Sequence, residues 1–228
     1  MIAAILLAAA LAPHVAPHAD DAQSLSKACD NGVFSSCYAL GLTLVQGEKP
    51  KDPLRAIALF TKACDGKFAD GCDALGIAFK DGIGVEKDLA RADSLFAKAC
   101  DADSAAACAH LAHLRAKGDP ANIAGVMPLF QKSCSGGFGP GCYVIGIAYY
   151  EGTGVSKDLL HAVIFFKKAC DARTTDGCAG LGAIYSRDPQ AAKDLFKKAC
   201  AQIGGCEDFD ALVTGFEAGA AIRKQHGH

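Results

Sequence analysis

Twelve cysteines recur in six neighbouring pairs, and this recurrence constrains the fold more than any other feature of the chain. The pairs are Cys29/Cys37, Cys64/Cys72, Cys100/Cys108, Cys134/Cys142, Cys170/Cys178 and Cys200/Cys206. Five have the spacing C-x7-C and the sixth is C-x5-C, and the first members follow one another after 35, 36, 34, 36 and 30 residues. A period near 36 residues predicts a solenoid of repeats rather than one globular core.

The residues around the cysteines repeat as well, and both halves of the repeat are helical by pattern. One half reads LFTKAC, LFAKAC, LFQKSC, FFKKAC and LFKKAC, and the other reads CYALGLTL, CDALGIAF, CYVIGIAY and CAGLGAIY. Cys72, Leu75, Gly76 and Phe79 follow the spacing i, i+3, i+4, i+7, which places them on one helical face. A glycine recurs at 41, 76, 146 and 182. Because glycine costs about 1 kcal/mol in a helix, its recurrence predicts a close helix crossing.

The segments between the helical halves carry turn and capping residues. Asp88 and Asp158 follow G-x-G-V turns, and Asp-Pro occurs at 52–53, 119–120 and 188–189. Aspartate is a preferred N-cap and proline is favoured at the first helical position. We therefore expect helix–loop–helix units, about five of them over residues 20–206. Residues 207–228 are expected to form a C-terminal capping helix and tail.

The cysteine spacing itself tests whether neighbouring pairs can be disulfides. Eight residues of uninterrupted helix span about 12 Å, whereas a disulfide needs Cα atoms about 4.4–6.8 Å apart. Cys64 and Cys72 can therefore bond only if the chain reverses at the intervening DGKFADG segment. Zinc binding is the competing interpretation, but zinc sites favour C-x2–4-C spacings, which do not occur here. Disulfides between all six neighbouring pairs are the prediction.

The N-terminus is typical of an export signal. Residues 1–12 read MIAAILLAAALA, an apolar run that suits a signal peptide and is too short to span a bilayer. We expect residues 1–19 to be a signal peptide, and disulfides suit the oxidising compartment to which it leads. The predicted location is secreted or periplasmic.

Charge and composition remove several classes of partner and compartment. The formal net charge is −2 and the pI is about 6.4, so the basic excess of nucleic-acid-binding proteins is absent. A hydrophobic content of 51% argues against intrinsic disorder. No apolar run reaches the length of a transmembrane helix. We expect a monomer that has no nucleic-acid partner, no transmembrane segment and no cofactor.

Taken together, the motifs resemble those of Sel1-like repeats, which are related to tetratricopeptide repeats. The shared pattern is L-G, an aromatic residue, G-x-G-V, Asp, Ala and a final K-A-C, and it is best kept in residues 70–100 and 140–170. With paired cysteines in every copy, the chain is similar to the secreted cysteine-rich Sel1 proteins of Helicobacter. The resemblance implies an all-α, right-handed α/α superhelix whose helices are joined by disulfides. It also implies a scaffold that binds partners, although β-lactamase or penicillin-binding activity is ascribed to the family.

By the same resemblance, the first helix of each repeat lines a concave groove. The side chains expected to contact a ligand there are Tyr38, Asp73, Ile77, Lys80, His113, Tyr143, Ile147 and Tyr150. Leu42 and Val45 occupy equivalent positions in the first copy. Such a mixture of tyrosines, aliphatic residues and a few charges suits an extended peptide.

Catalytic motifs are sparse. Ser24-Leu25-Ser26-Lys27 fits S-x-x-K, but the S-D-N and K-T-G motifs of serine β-lactamases are missing. His110 and His113 lie i, i+3 on a predicted helix without a third ligand nearby in sequence, so we predict no metal site. The favoured hypothesis is an exported, non-catalytic scaffold whose groove binds a protein, a peptide or a cell-envelope component. The alternative is a hydrolase acting on β-lactams.

Overall fold

The computed structural model describes residues 19–47, 51–116 and 122–225, and every regular element of appreciable length in them is an α-helix. The twelve described helices are α1 (Ala19–Asp30), α2 (Phe34–Val45), α3 (Pro53–Asp65), α4 (Ala69–Asp81), α5 (Leu89–Asp101), α6 (Ala105–Ala116), α7 (Ile123–Ser135), α8 (Gly139–Glu151), α9 (Leu159–Asp171), α10 (Thr175–Arg187), α11 (Pro189–Ile203) and α12 (Cys206–Gln225). The all-helical fold class is confirmed.

The chain forms two compact units, Met1–Gly118 and Asp119–His228. The first, called unit 1, contains α1–α6, and the second, unit 2, contains α7–α12. Within each unit, helices that are consecutive in sequence pack against each other. This neighbour-to-neighbour packing is the arrangement expected of helix–loop–helix repeats.

A phenylalanine four residues before the first cysteine of a pair anchors the core of each repeat. The spacing of four places the ring and the cysteine on the same helical face. These rings are at most 2% exposed: Phe60, Phe96, Phe130, Phe166 and Phe196. Burying such a side chain contributes about 1.5–3 kcal/mol.

The recurring glycines lie where these rings pack. A Cβ atom on Gly76 would lie 2.6 Å from the Phe96 ring, and one on Gly146 would lie 2.5 Å from the Phe166 ring. Both distances are too short for a real Cβ contact, so the prediction of a close crossing is confirmed. Gly182 is less tightly constrained, because its nearest neighbour would be Phe216 at 3.2 Å.

All six neighbouring cysteine pairs are disulfide-bonded, as predicted, with Cα–Cα distances of 4.4–5.0 Å. Each bond joins the end of one helix to the start of the next. In the C-x7-C copies the chain reverses through a residue with positive φ, three positions after the first cysteine. These residues are Gly32, Lys67, Asp103, Gly137 and Arg173. The bonds are Cys29–Cys37, Cys64–Cys72, Cys100–Cys108, Cys134–Cys142, Cys170–Cys178 and Cys200–Cys206.

Most of these disulfides lie inside the helix packing and not on a surface that a ligand could reach. Cys108 is 0% exposed and Cys142 is 2% exposed, although both stand at the start of a helix that the sequence assigns to the groove. Cys206, in the shortened last pair, is exposed instead. Because Cys108 and Cys142 are buried and disulfide-bonded, these two residues hold consecutive helices together.

Aspartate caps begin four of the described helices. The side chains of Asp52, Asp88, Asp158 and Asp188 accept hydrogen bonds from backbone N–H groups of α3, α5, α9 and α11. A cap of this kind contributes about 1 kcal/mol. The cap expected at Asp119 lies outside the described residues, and α7 begins at Ile123 without a side-chain cap.

Two further predictions concern the two ends of the chain. The predicted signal peptide, residues 1–19, lies outside them except for Ala19, where α1 begins. At the other end, α12 reaches Gln225 and its role as a cap stays a prediction. None of the described helices has the length and apolar character needed to cross a bilayer.

Candidate functional site

Several of the side chains predicted to contact a ligand surround one pocket in unit 1. Tyr38, Leu42 and Val45 of α2 face Asp73 and Ile77 of α4 across a pocket of about 140 Å³. The remaining lining residues are Gln46, Gly47, Phe60, Ala74, Ala78 and Ile83. We call this the α2–α4 pocket. Its wall is predominantly apolar, with polar groups at only a few points, which is the composition of small binding sites in proteins.

Asp73 supplies the only formal charge among the described residues of this lining. Its residue surface is 7% exposed, and its Oδ1 lies 2.7 Å from Nδ1 of His110 on α6. Because an ionised carboxylate only accepts hydrogen bonds, Nδ1 of His110 carries the proton and donates it. His110 is itself 6% exposed and packs on Phe96, with ring centroids 5.4 Å apart. The histidine therefore fixes the position of the carboxylate at the pocket wall.

Tyr38 is the second polar group in the lining. Burial raises the pKa of its phenol to about 12, with a further contribution from the negative charges of Asp70 and Asp73. The phenol consequently stays neutral at physiological pH and offers one donor and one acceptor. Its ring packs against Phe60 and Phe68, with centroid distances of 6.2 and 5.5 Å, so the hydroxyl is carried on a well-supported side chain.

Lys80 and His113 belong to unit 1 but do not line the α2–α4 pocket. Lys80 Nζ forms an ion pair with Asp81 Oδ1 at 3.0 Å. Burial lowers the pKa of His113 to about 4, with smaller contributions from the neighbouring His110 and Lys80. His113 is thus neutral at physiological pH. Whether either residue contacts a ligand stays a prediction.

In unit 2 the predicted side chains pack partly on the core of that unit. Tyr143, Ile147 and Tyr150 are half-buried, and both tyrosine rings contact the Phe166 ring, at centroid distances of 5.8 and 6.3 Å. Tyr150 also carries Lys157 Nζ over its ring at 5.8 Å. The residues of this unit equivalent to Asp73, directly after the second cysteine of a C-x7-C pair, are Tyr143 and Ala179. The charged wall of the α2–α4 pocket therefore has no counterpart at this position.

The partnership between His110 and Asp73 is not among the predictions made from the sequence. His110 and His113 are near in sequence, but they differ in burial and in surroundings. A signal was available: two residues after the second cysteine, the other C-x7-C copies carry Ala39, Ala74, Val144 and Gly180. A histidine at a position otherwise given to small or aliphatic side chains marks a polar group that needs a buried partner.

Metal binding and hydrolysis find little support in the described ranges. No group of three or more His, Cys, Asp or Glu side chains there is placed to hold a metal ion. All twelve cysteines, the buried Cys108 and Cys142 among them, are bonded in disulfides, which removes the zinc interpretation of the pairs. The S-x-x-K match lies on α1, where Ser24 and Lys27 are both exposed. An exposed helical face offers no enclosed surface on which a substrate and an oxyanion site could be positioned.

Comparison with known proteins identifies the repeat. The family model of the Sel1 repeat matches residues 35–68, 69–104, 139–173 and 178–202, more than half of the chain. A comparison with curated protein sequences gave no match. The earlier resemblance to Sel1-like repeats is confirmed.

Solved structures agree on the fold. A Sel1 repeat protein from Oxalobacter formigenes is 22% identical, with a TM-score of 0.61, over 81% of this chain and 85% of that one. A protective antigen from uropathogenic Escherichia coli, displaying an SLR fold, is 24% identical with a TM-score of 0.63. That match covers 79% of this chain but only 41% of the antigen. Helicobacter pylori cysteine rich protein B is 25% identical over 69% of this chain and 89% of its own, but its TM-score of 0.30 supports no structural argument.

Proposed function

The chain belongs to the Sel1 repeat family, and from this premise we propose that it is an exported scaffold that binds a protein or peptide partner along the first helices of its repeats. Its fold is a disulfide-bonded Sel1 repeat scaffold, of a family whose members typically mediate protein interactions. The finer elements of the proposal are export, a monomeric state and a partner of the cell envelope. The division into a signal peptide of residues 1–19, repeats over 20–206 and a cap over 207–228 belongs to it as well.

The observation that carries the proposal is the α2–α4 pocket. Side chains from the first helices of two successive repeats, Leu42 on α2 and Ile77 on α4, meet at an open, mainly apolar surface. Helical repeats present extended concave surfaces that bind partners, and a small, mainly apolar pocket with a few polar groups is typical of a binding site. The disulfides Cys29–Cys37 and Cys64–Cys72 hold the helices around the pocket in place. A pocket that is rigid before binding favours peptide affinity, because less conformational entropy is lost on binding.

Export is supported by the chemistry of the cysteines. All twelve form disulfides, three in each unit. Structural disulfides form and persist in oxidising compartments and are rare in the reducing cytosol. Together with the apolar N-terminal segment, they favour a secreted or periplasmic location. Mass spectrometry of the protein recovered from the producing cell tests this, because removal of residues 1–19 is expected and an intact N-terminus would contradict it.

Site-specific photo-crosslinking tests partner binding. A photoreactive residue placed at Leu42 or Ile77 should crosslink a discrete partner from cell-envelope extracts. The same residue placed at Ala58, on the exposed face of α3, is the control and should give no such product. Equal products from Ile77 and Ala58 would contradict the proposal.

A direct assay tests the alternative of β-lactam hydrolysis. The oxidised protein should be incubated with a chromogenic cephalosporin, beside a Ser24→Ala variant. Turnover that is lost in the variant would replace the scaffold with a hydrolase. The exposure of Ser24 and Lys27 on α1 leads us to expect no turnover.

A further inference from the structure

Asp73 combines two properties that separate it from the other carboxylates of unit 1. It is buried, and it lines an open pocket. Within the described part of the chain, His110 is the one group that hydrogen-bonds it, through Oδ1. The second oxygen, Oδ2, is left without a protein donor among those residues. A carboxylate has about four lone-pair positions, so one imidazole N–H satisfies only part of its capacity.

Because Asp73 is buried, its incomplete set of hydrogen bonds costs free energy. Taking a carboxylate out of water carries a penalty that close donors must offset. In the open pocket water can reach Asp73 from the pocket side. A purely apolar ligand would displace that water and leave the carboxylate with His110 alone. A ligand with a cationic donor would instead replace the water with a charge-assisted hydrogen bond.

Among the described residues near the pocket, no lysine or arginine is paired with Asp73. The hydrogen bond from His110 Nδ1 reaches Oδ1 of Asp73 and does not reach Oδ2. The lowered pKa of His113 keeps that ring neutral. The ammonium of Lys80 forms an ion pair with Asp81, at a distance of 3.0 Å from Nζ to Oδ1. The raised pKa of Tyr38 keeps its phenol uncharged.

A second carboxylate in the vicinity adds to the negative potential. Asp70 lies one turn before Asp73 on α4, and Ser104 Oγ donates a hydrogen bond to its Oδ1 at 3.0 Å. A hydroxyl donor leaves the formal charge of Asp70 unchanged. The surroundings of the pocket therefore favour a positively charged group.

We propose that the α2–α4 pocket binds a lysine or arginine side chain of the partner. This rests on the proposed function and names the chemistry that its pocket recognises. The aliphatic stem packs against Leu42, Val45 and Ile77, and the charged head reaches Oδ2 of Asp73. Lysine and arginine both combine such a stem with a charged end, so they match an apolar wall that carries one buried carboxylate.

Nuclear magnetic resonance titration of the full, oxidised chain tests this with four defined peptides. They are N-acetyl, C-amide tripeptides with alanine at both ends and lysine, arginine, norleucine or glutamate in the centre. We expect the lysine or arginine peptide to shift the methyl signals of Leu42, Val45 and Ile77. We further expect it to bind at least about fivefold more tightly than norleucine, as one charge-assisted hydrogen bond predicts. The glutamate peptide should bind most weakly.

Two variants test whether the preference for a lysine or arginine peptide over norleucine depends on Asp73. Asp73→Asn keeps the shape and removes the charge, and should reduce the affinity for lysine to that for norleucine. Asp176→Asn removes an exposed carboxylate from the first turn of α10, the position in unit 2 equivalent to Asp70, and should leave the preference unchanged. If Asp73→Asn does not fold, the lysine–norleucine comparison on the unmodified protein decides the question.

The outcomes separate the two proposals. Equal binding of norleucine and lysine, or a lysine preference that survives Asp73→Asn, overturns the cation site and leaves the scaffold function standing. A failure of all four peptides to shift the pocket signals also overturns the cation site. The scaffold function is then decided by the crosslinking from Ile77, which does not depend on the charge of the partner.

Discussion

Among the described residues, unit 1 buries one aspartate and unit 2 buries one lysine, so the two buried charged groups are opposite in sign. Unit 1 buries Asp73, which is 7% exposed, and unit 2 buries Lys167, which is 3% exposed. Lys167 Nζ lies 2.6 and 2.8 Å from the two oxygens of Asp171 and 3.3 Å from Asp208 Oδ2. It also lies over the Phe209 ring, 5.5 Å from its centroid. Asp73 has the hydrogen bond from His110 and a pocket beside it.

The different surroundings of Asp73 and Lys167 show that a buried charge can have two roles in the same kind of repeat. The ammonium of Lys167 is surrounded by two carboxylates and an aromatic face, so it joins α9 to α12 as part of the structure. Asp73 lacks a full set of protein partners and is accessible from a pocket, so it is a candidate for recognition. Neither charge follows from the repeat pattern. The equivalents of Asp73 in unit 2 are Tyr143 and Ala179, and the equivalents of Lys167 in unit 1 are Ser26, Thr61 and Ala97.

Removing both acidic partners of Lys167 should give the largest effect. The double variant Asp171→Asn, Asp208→Asn leaves a buried ammonium without a counter-charge, and we expect it to lower the free energy of unfolding by about 3 kcal/mol. Lys167→Met removes the charge itself and should change stability by less than about 1 kcal/mol. Chemical denaturation followed by circular dichroism measures both. A larger loss for Lys167→Met than for the double variant would contradict a purely structural role.

Removing one disulfide from each unit should give equal and slightly smaller effects. Closing a loop of about nine residues is worth roughly 2.6 kcal/mol in the chain-entropy model. We therefore expect similar losses for the pair Cys64→Ala, Cys72→Ala in unit 1 and for Cys170→Ala, Cys178→Ala in unit 2. Unequal losses would show that the disulfides, and not only the buried charges, distinguish the units.

Complete reduction of the unmodified protein should add the mass of about twelve hydrogens, two for each of six bonds.

Enlarging a crossing glycine tests whether the two units pack equally tightly. Gly76→Leu and Gly146→Leu place side chains against Phe96 and Phe166, and each should cost about 1–3 kcal/mol or more. Gly182→Ala is the matched mild change, because its added Cβ meets Phe216 only at 3.2 Å. Thermal unfolding should rank Gly182→Ala as the least damaging. An unchanged melting temperature for Gly146→Leu would contradict the close packing of α8 and α9.

Between pH 6.5 and 4, one contribution to the pH dependence of stability should come from His113 in unit 1. Folding lowers the pKa of His113 from 6.5 to about 4, so the unfolded chain takes up the proton first as the pH falls. This contribution is fully present above about pH 6.5 and is lost progressively as the pH falls towards 4. After allowance for partial exposure, we expect a loss of about 1–2 kcal/mol.

His113→Gln is the matched variant for the pH experiment, because it keeps a polar side chain that does not titrate. Its stability should fall less steeply than that of the unmodified protein between pH 6.5 and 4. Parallel curves would show that His113 is not the group responsible. Hydrogen exchange should place the difference between the two proteins in α6.

The smallest effect is expected at the turns between the disulfide-bonded cysteines. Lys67 in unit 1 and Arg173 in unit 2 have φ values of 63° and 59°, a region that side chains other than glycine rarely adopt. Lys67→Gly and Arg173→Gly should each stabilise the protein by up to about 1 kcal/mol through relief of this strain. Calorimetric melting temperatures measure the gain, and a loss at either position would show that its side chain makes a compensating contact.

The sequence by itself determined the repeat, the helices, the disulfide pairing and most of the caps. It could do so because these features depend on short separations: eight residues between Cys100 and Cys108, four between Phe96 and Cys100, and one turn between Asp52 and the N–H it caps. Each such contact recurs in several copies, so the copies confirm one another. It also placed Tyr38 and Ile77 on the face where the pocket lies.

Only the tertiary structure decided which of the predicted positions line one pocket. Asp73 and His110 are 37 residues apart, and their contact appears at one place in the described chain. The period of about 36 residues cannot predict this contact, because a repeat pattern contains only the features that its copies share. The burial of Asp73, its single partner and the pocket beside it come from packing α4 against its neighbours. The buried carboxylate and its partner therefore lie where the copies differ, and their contact is visible only once the helices are packed.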